Sequence, residues 1–481
     1  MSHTKDKQYL WLNIVKIIFL CMTTAVFAVC WCLYYDKNLY MPFYRRGDYL
    51  VMALFFLLNM GCSKLYGGFN LTISRIREII YSQCIAIAMT HFFMYIVIWL
   101  LMRKLPNAIP IIGSALICMF IGVIWAKVGN RLANKLVPPK RTLLIYDHIE
   151  AHKNGLYIIN RICWRFSLMG EIDISCGVEK ILEMLEKEKP EAVMLCGLHS
   201  SQRNTILKYC IEQDILVYLR PNIGDYIVNS AKSIQMANLP VMMCYRSSPA
   251  IFYTITKRGI DIILGVVGLI FTSPIMLITA AAIYCYDRGP VFYKQLRLTK
   301  DRKPFYIYKF RSMKVDAEKD GVARLAGQND DRITPIGKII RSCRIDELPQ
   351  ILCILKGDMT IVGPRPERPE IAEKYEREMP EFSLRLQVKA GLTGYAQVYG
   401  KYNTDPYDKL QMDMMYISQQ GIVTDIKIIL ATIKILFVPE STEGIIDRQQ
   451  TKENKSLEKN TKRVEQDFFY TVHTASWKKD A

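Results

Sequence analysis

Between Arg341 and Pro369 the chain reads RSCRIDELPQILCILKGDMTIVGPRPERP. Adjacent carboxylates (Asp346, Glu347), a Gly-Asp pair (Gly357, Asp358) and an arginine locked between prolines (Pro364, Arg365, Pro366) crowd into a short helix and a loop. If Asp346 is an N-cap, Pro349 falls in the first helical turn, where a missing N–H costs nothing. A capping Asp beside a Glu is usually structural. The functional alternative gives the two carboxylates different tasks, one attacking phosphorus and the other binding Mg²⁺, which takes a few carboxylates plus substrate phosphates. Arg341 and Arg344, one turn or less upstream, would keep both ionised. Flanking prolines restrict the backbone of Arg365 and Gly363 permits a tight approach, so its guanidinium suits bidentate phosphate contact. A rigid surface turn with an incidental arginine is the plainer alternative.

Downstream, KAGLTGYAQVYG is a Gly-rich turn (Gly391, Gly394) before a short strand, a weak signal by itself. Upstream stand GPVFYKQLRL and YKFRSM. In extended backbone Lys309 and Arg311 share a face and would suit a diphosphate, or form a solvated basic edge. Further upstream the apolar run Gly259 to Tyr286 follows Lys257 and Arg258, and Ser273 and Pro274 interrupt its middle. A full crossing would export the basic residues that follow (Lys294, Arg297, Lys300, Arg302, Lys303). A helix that enters, breaks at Pro274 and returns keeps both basic flanks on one side, because an interior proline removes a hydrogen bond and kinks the axis. The run Ile422 to Phe437, carrying Asp425, Lys427 and Lys434, is too short and too charged to span and reads as an amphipathic surface helix. Residues 441–481 have the polar composition of a disordered tail, with Phe468, Phe469 and Tyr470 as docking candidates.

The chain has 481 residues, 51% of them hydrophobic and 22% charged, with a net charge of +18. Membrane spans joined to ordinary soluble domains reconcile these numbers, and anionic lipid, phosphorylated substrates or nucleic acid suit the charge. Four N-terminal runs approach the ~20 apolar residues that a crossing needs: Leu10 to Tyr35, Tyr49 to Tyr66, Ile79 to Met102 and Ile109 to Val128. Gln83, Thr90 and His91 sit in the third, where bundle-interior packing is the default expectation. Loop charges favour one side by ten (Lys5, Lys7, Lys64, Arg75, Arg77, Lys127, Arg131, Lys135, Lys140, Arg141) to five (Lys37, Arg45, Arg46, Arg103, Lys104). This predicts that the N-terminus and everything after Val128 are cytoplasmic. From Thr142 strands alternate with helices: Thr142 to Tyr146, Ile149 to Asn160, a helix period at Val178 to Leu185, Ala192 to Cys196, Ser200 to Asp214 and Ile215 to Leu219. That pattern predicts a small parallel α/β domain. The turn after its first strand, DHIEAHKNG, lacks a GxGxxG fingerprint, so no dinucleotide is expected there. Pro240 to Ala250 reads as a linker. The 14 cysteines form no CxxC pair and read as free thiols in a reducing compartment.

Together the motifs KRGID, SP, GPVFYKQLRL, KFRSM, DDRITPIGKIIR, DELPQ, LKGDM, VGPRPERP and GLTGYAQV resemble, in order and spacing, the bacterial sugar transferases, the monotopic phosphoglycosyl transferases. The resemblance covers about Lys257 to Phe437. With spans and an α/β domain ahead of it, the chain resembles the family's large form, similar to undecaprenyl-phosphate galactose or glucose phosphotransferases. The fold implied is a membrane α-helical N-terminal bundle (1–135), a cytoplasmic Rossmann-like α/β domain (136–240) and an α-rich α+β catalytic domain (251–440) with a re-entrant membrane helix (257–286). The resemblance implies Asp346 as a nucleophile that forms an aspartyl phospho-sugar with release of UMP, and Glu347 as a ligand of Mg²⁺. It implies Lys309, Arg311, Arg341 and Arg365 as phosphate holders, Lys257 and Arg258 at the mouth of the re-entrant helix, and Ser273 and Pro274 at its break. Gln350, Asp358 and Asp413 are weaker carry-overs. The chain departs from the family where Thr299 and Arg302 replace common glycines and Ala390 replaces the usual proline before GLTG. Those departures should reshape substrate loops and bear on donor choice.

The implied partners are a UDP-sugar donor and polyprenyl phosphate in a bacterial inner membrane, with a homodimer compatible and no nucleic acid. The charge alone would allow a tethered nucleic-acid binder, but basic-aromatic interleaving and any recognisable module are missing. Asp320, Gly321, Ala323 and Arg324 resemble the opening of a CDP-alcohol phosphotransferase motif with the wrong spacing. A non-catalytic membrane regulator of polysaccharide assembly that keeps the fold is the remaining alternative.

Overall fold

A computed structural model describes residues 2–43, 46–246, 249–315, 332–400 and 405–436. They fall into two units, Met1–Cys244 and Tyr245–Ala481. The tail expected at 441–481 and the Asp320 to Arg324 segment lie outside the described residues.

The first unit opens with α1 (Ser2–Cys30), prolonged by a π-turn at Trp31–Tyr35, then α2 (Gly47–Leu65), α3 (Ile76–Met102) and α4 (Ile109–Leu136). All four are long and apolar enough to cross a membrane, as the hydropathy of the sequence requires. Their polar residues turn inward. Ser63 Oγ donates to Gln83 Oε1 at 3.0 Å, Asn59 Nδ2 donates to Thr23 Oγ1 at 2.9 Å, and the His91 ring bridges Ile87 O at 2.8 Å and Ser114 Oγ at 3.2 Å. Gln83, Thr90 and His91 are therefore buried packing residues of the bundle, as expected where lipid offers polar groups no partner.

The α/β part follows as β1 (Lys140–Tyr146), α5 (Ile149–Arg161), β2 (Phe166–Asp173), α6 (Val178–Glu188), β3 (Ala192–Cys196), α7 (Ser200–Glu212), β4 (Leu216–Leu219) and α8 (Ile223–Asn229). The sheet is parallel in the order β2-β1-β3-β4. Alternation along β1 sends Leu143 and Ile145 to a core shared with Ile181, Leu185 and Ile206 of α6 and α7, and Leu144 to Ala151 and Ile159 of α5. Strand β2 escapes a reading by hydrophobic runs. It lies at the edge, half-buried, with a register shift against Thr142/Leu143 and polar Glu171 near its end.

The supposed linker after Pro240 is in part a strand. β5 (Lys232–Met236) and β6 (Leu239–Met243) form an antiparallel hairpin, with Pro240 opposite Gln235. Ala237 and Asn238 take φ of 46° and 65°, the left-handed pair of a two-residue hairpin turn. Asn tolerates that conformation; Ala does not advertise it, which hid the turn from the sequence.

The second unit begins with α9 (Ile251–Asp287), the fifth helix apolar and long enough to span. It continues with the hairpin of β7 (Phe292–Leu298) and β8 (Pro304–Phe310), α10 (Pro335–Ser342), a 3-10 turn at Ile345–Glu347, α11 (Gln350–Lys356), β9 (Thr360–Val362), α12 (Pro369–Glu378), β10 (Gly391–Thr393), α13 (Tyr395–Tyr399), α14 (Pro406–Ser418) and α15 (Ile422–Leu436). One core gathers Phe305, Ile307, Cys353, Ile354, Met359 and Ala390; another joins Ile283 of α9 to Phe310 and Ile340. The expected amphipathic helix is α15, with Val423 exposed outward and Asp425 buried inward.

Helix α9 runs through Pro274 as one helical element and does not separate into two at that point. Pro274 has no N–H for the carbonyl four residues earlier, that of Ile270. Ser273 Oγ donates to that carbonyl at 2.9 Å, so the Ser-Pro pair closes its own gap. The flanks of α9 are tied to the rest of the unit at both ends. Arg258 donates to the Ile354 and Leu355 carbonyls, each at 2.7 Å, at the C-terminus of α11, where Ile354 O also accepts from Gly357 N at 3.0 Å. Asp261 accepts from Thr360 Oγ1 at 2.7 Å and Ile361 N at 3.0 Å. At the far end Asp287 pairs with Arg311. Between these anchors large apolar side chains stand exposed, Phe271 at 76% among them.

Candidate active site

Asp346 and Glu347 lie on the 3-10 turn between α10 and α11, so Asp346 is not the N-cap considered from the sequence; Pro349 occupies that place. A cap at Asp346 would need a donor from the second or third residue of the helix; Leu348 N donates instead to Ile345 O at 3.2 Å, and Pro349 at the third position has no N–H. Asp346 makes no side-chain hydrogen bond to another residue among those described, which leaves its carboxylate available. Arg344, at φ 54°, turns the chain sharply into this segment.

Glu347 is the anchored member of the pair. Lys309 Nζ donates to its Oε1 at 2.9 Å and Arg365 Nη2 to the same atom at 3.2 Å. Burial pushes Glu347 up, but Arg365, Lys309 and Arg344 overcome it and hold the carboxyl well below the usual carboxylate range. Asp346 moves the opposite way. Burial and the neighbouring Glu347 charge raise it, with Lys309 and Arg341 pulling back. Burial lowers Lys309, and Glu347 opposes that shift; Arg365 is raised by Glu347. Adjacent carboxylates pushed apart in this way can carry different roles, the anchored one permanently charged and the other more basic and more nucleophilic.

The loop that presents Arg365 is set by backbone packing. A Cβ on Gly363 would collide with Lys389 O, one on Gly391 with Gly363 N, and one on Gly394 with Gly363 O. Those glycines bring β9 and β10 into a parallel pair, with Gly363 N donating to Thr393 O at 2.8 Å and Gly391 N to Pro364 O at 2.9 Å. The Gly-rich motif therefore serves to seat the arginine loop. Two arginines clamp that loop from behind: Arg297 donates to Pro366 O at 2.9 Å, and Arg385 donates to Arg365 O at 2.8 Å. Arg385 is paired in turn with Asp413 at 2.8 Å. Burial pushes Asp413 up to about 6, against the pull of Arg385. Neither arginine was visible as a site residue in the sequence. Arg297 looked like part of a basic flank, and Arg385 sits in the unremarkable run SLRLQ, a 3-10 turn in which Arg385 itself is buried.

The remaining predicted residues divide. Lys309 and Arg365 reach the carboxylate pair directly, and Arg341 acts on Asp346 through its charge. Arg311 does not join them; it lies past the end of β8 and pairs with Asp287, so the expected shared face with Lys309 is not used. Lys257 and Arg258 secure the start of α9, and Ser273 and Pro274 sit in its middle. Gln350 is buried in the first turn of α11, Asp358 pairs with Lys356 at 2.9 Å, and Asp413 supports Arg385 from a buried position. The three departures from the family pattern also have structural partners. Thr299 Oγ1 donates to Asp358 O at 3.0 Å and accepts from Ala390 N at 3.1 Å, Arg302 pairs with Glu376 at 2.6 Å, and Ala390 is in the core.

No group of three or more His, Cys, Asp or Glu residues suited to a metal occurs among the described residues. That does not count against Mg²⁺, which is usually held by one or two carboxylates together with substrate phosphates. Both cations meet Glu347 at Oε1, and no partner is described for Oε2, so a hard cation fits there alongside Asp346.

The family profile described as "Bacterial sugar transferase" matches residues 252–439, the span that holds every residue of this site. The chain belongs to that family. It is 48% identical over 134 residues (28% of this chain, 74% of the relative) to a putative undecaprenyl-phosphate N-acetylgalactosaminyl 1-phosphate transferase of Bacillus subtilis (strain 168). It is 41% identical over 191 residues (39% of this chain, 45% of the relative) to the UDP-N-acetylgalactosamine-undecaprenyl-phosphate N-acetylgalactosaminephosphotransferase of Aeromonas hydrophila. To the UDP-glucose:undecaprenyl-phosphate glucose-1-phosphate transferase of Escherichia coli (strain K12) it is 36% identical over 222 residues (45% of this chain, 48% of the relative). The matched region spans about half the length of the last two relatives.

Proposed function

We propose that the protein transfers a sugar 1-phosphate from a UDP-sugar to polyprenyl phosphate, releasing UMP and starting the synthesis of a surface polysaccharide. The observation that carries this is the split carboxylate pair: Glu347 fixed between Lys309 and Arg365, and Asp346 unbonded beside it. An oxygen of Asp346 attacks the phosphorus that bears the sugar, the bond to the UMP oxygen breaks, and UMP leaves with the electron pair. Polyprenyl phosphate then attacks the aspartyl phospho-sugar through an oxygen, and Asp346 leaves as a carboxylate. One site thereby serves a soluble and a lipid substrate in turn. Mg²⁺ held by Glu347 Oε2 and the donor diphosphate would supply charge neutralisation. Lys309, Arg341 and Arg365 orient the phosphates, and Arg297 and Arg385 keep Arg365 aimed. Positioning and charge stabilisation make up most of phosphoryl-transfer catalysis.

The test is UMP release across a panel of UDP-sugars with polyprenyl phosphate in nanodiscs. Release is expected for at least one donor and is expected to stop with EDTA and return with Mg²⁺. Because Asp346 must be ionised to attack and is raised above its usual value, activity should fall on acidification in a limb above the ~3.9 of a free Asp. Repeated turnover of UMP release without lipid phosphate, beyond one equivalent per enzyme, or release that survives EDTA unchanged, would count against this function.

The membrane arrangement proposed with it keeps the second unit in the cytoplasm of a bacterium, with α9 entering and leaving the same face. Support comes from the ties at both ends of α9 to one unit, through Arg258 and Asp261 at one end and Asp287 at the other. In whole cells, single cysteines placed just before Gly259 and just after Tyr286 should both resist an impermeant maleimide added outside. Labelling of the second site alone would make α9 an ordinary crossing. The Rossmann-like part of the first unit is proposed to bind no dinucleotide, in keeping with the missing fingerprint.

A further inference from the structure

We infer that Gln295 is a positioning residue: its side-chain amide holds the Arg297 guanidinium in the orientation from which Arg297 fixes the Arg365 loop, and it does so without cancelling the charge. The part this plays in transfer rests on the function proposed above. Gln295 and Arg297 stand two apart on β7 and so share a face. The register of the β7–β8 hairpin sets Tyr293 opposite Lys309, Gln295 opposite Ile307 and Arg297 opposite Phe305, so these side chains all lie on that face. Phe305 and Ile307 sink into the core, and Lys309 reaches Glu347 Oε1 at 2.9 Å. At the other end Arg297 Nη1 donates to Pro366 O at 2.9 Å. Gln295 therefore sits between the lysine that grips the anchored carboxylate and the arginine that grips the loop.

The chemistry of the contacts fixes how Gln295 is turned. A guanidinium only donates. Arg297 Nε and Nη2 both donate to Gln295 Oε1, at 3.0 and 2.6 Å, so the amide oxygen must face Arg297. The amide nitrogen then donates to the Tyr293 hydroxyl, at 3.2 Å. Tyr293 and Arg297 thus hold the amide from both sides. One edge of the guanidinium is taken by Gln295, which aims Nη1 at the Pro366 carbonyl. Arg297 needs such a hold. Its side chain is only 15% exposed, burial pushes its pKa down to about 10, and Arg365 and Arg368 repel it. Glu367 counters them from 3.7 Å, beyond hydrogen-bond length, and is shared with Arg385 at 3.6 Å. The short bonds described for Arg297 end on neutral oxygens, those of Gln295 and Pro366. A neutral acceptor directs a cation and leaves its charge in force. An undischarged guanidinium behind the loop adds to the field that a donor diphosphate meets. A carboxylate at position 295 would direct Arg297 equally well and remove that charge.

The test uses the full chain in nanodiscs, the variants Gln295→Met and Gln295→Glu, and two readouts. The first, hydrogen exchange, needs no turnover. Leu298 N donates to Glu367 O at 3.0 Å and Gly391 N to Pro364 O at 2.9 Å, so these amides report release of the loop. In Gln295→Met they should exchange about tenfold faster than in the parent, and in Gln295→Glu they should stay protected. Unchanged exchange in Gln295→Met overturns the inference whether or not the parent releases UMP, which separates it from the proposed function. The second readout is UMP release with the donor that the parent prefers. Gln295→Met should lose about tenfold in kcat, whereas Gln295→Glu should keep kcat within about threefold while KM for the UDP-sugar rises about tenfold. In an Arg297→Met background, Gln295→Met should cost less than about twofold more, because a residue that acts through Arg297 has nothing left to hold. Equal losses of kcat in the two Gln295 variants overturn the inference, as do losses that add in full to that of Arg297→Met. Gln295→Glu is nearly isosteric and should melt with the parent, so it carries the test if Gln295→Met folds poorly: an unchanged KM there overturns the inference as well.

Discussion

Asp346→Asn is expected to lower UMP release from the preferred UDP-sugar by at least ~10³-fold, about 4 kcal/mol of barrier. The substitution keeps size and shape and removes only the nucleophilic oxygen charge. It should not damage the fold. The native environment raises Asp346 above its unfolded value, through burial and the Glu347 charge. A carboxylate raised on folding favours the protonated form, so its contribution is present at low pH and becomes a cost as pH rises through the native value. At neutral pH Asn should therefore leave the melting temperature unchanged or slightly higher. Lost activity with retained stability, and no phospho-sugar trapped on the protein by acid quench, is the combined signature. Turnover close to that of the parent would remove Asp346 from the chemistry and favour a regulatory role for the chain.

The second large effect concerns folding. Lys257 and Asp425 pair at 2.6 Å with only 16% and 9% of their side chains exposed. Asp425 also accepts from Tyr253 and Tyr416, each at 2.9 Å, and Lys257 donates to Val362 O at 3.0 Å. The site ties α9, α14, α15 and β9 together. Removing one partner strands a buried charge, at a cost of about 3–5 kcal/mol. Asp425→Asn and Lys257→Met should each lower the unfolding transition of the second unit accordingly, read by limited proteolysis at rising urea. The double variant Lys257→Met/Asp425→Leu should recover much of the loss, because apolar replacement of both members is often nearly neutral. Strictly additive costs would show that the two residues are not coupled.

Much of this architecture follows from signals that act locally. A bilayer demands about 20 apolar residues per crossing, and that demand alone makes the N-terminal helices visible. Alternation of buried strands with amphipathic helices shows the parallel sheet, and motif spacing marks Asp346, Glu347, Lys309 and Arg365. What escaped was set by partners distant in sequence. The direction of Arg311 depends on Asp287, and the importance of Arg385 depends on Arg365 and Asp413. Strand β2 lies at a half-solvated edge, and the β5–β6 turn uses an alanine where glycine would have announced it. The cap considered for Asp346 does not form for a local reason: Pro349 has no proton to give, and Leu348 N donates to Ile345 O.

Ser273 illustrates how a substitution scale can mislead. In lipid an unpaired carbonyl has no water to turn to, and each such group costs several kcal/mol. Ser273 Oγ meets the Ile270 carbonyl that Pro274 leaves bare. Tolerance at this position is thus ruled by the presence of a donor and not by volume: threonine, though larger, conserves the bond, whereas alanine, though smaller, forfeits it. A matrix that scores residues by bulk or hydropathy ranks these replacements in the wrong order. It would call the alanine harmless at the one place in α9 where the backbone relies on a side chain for its last hydrogen bond.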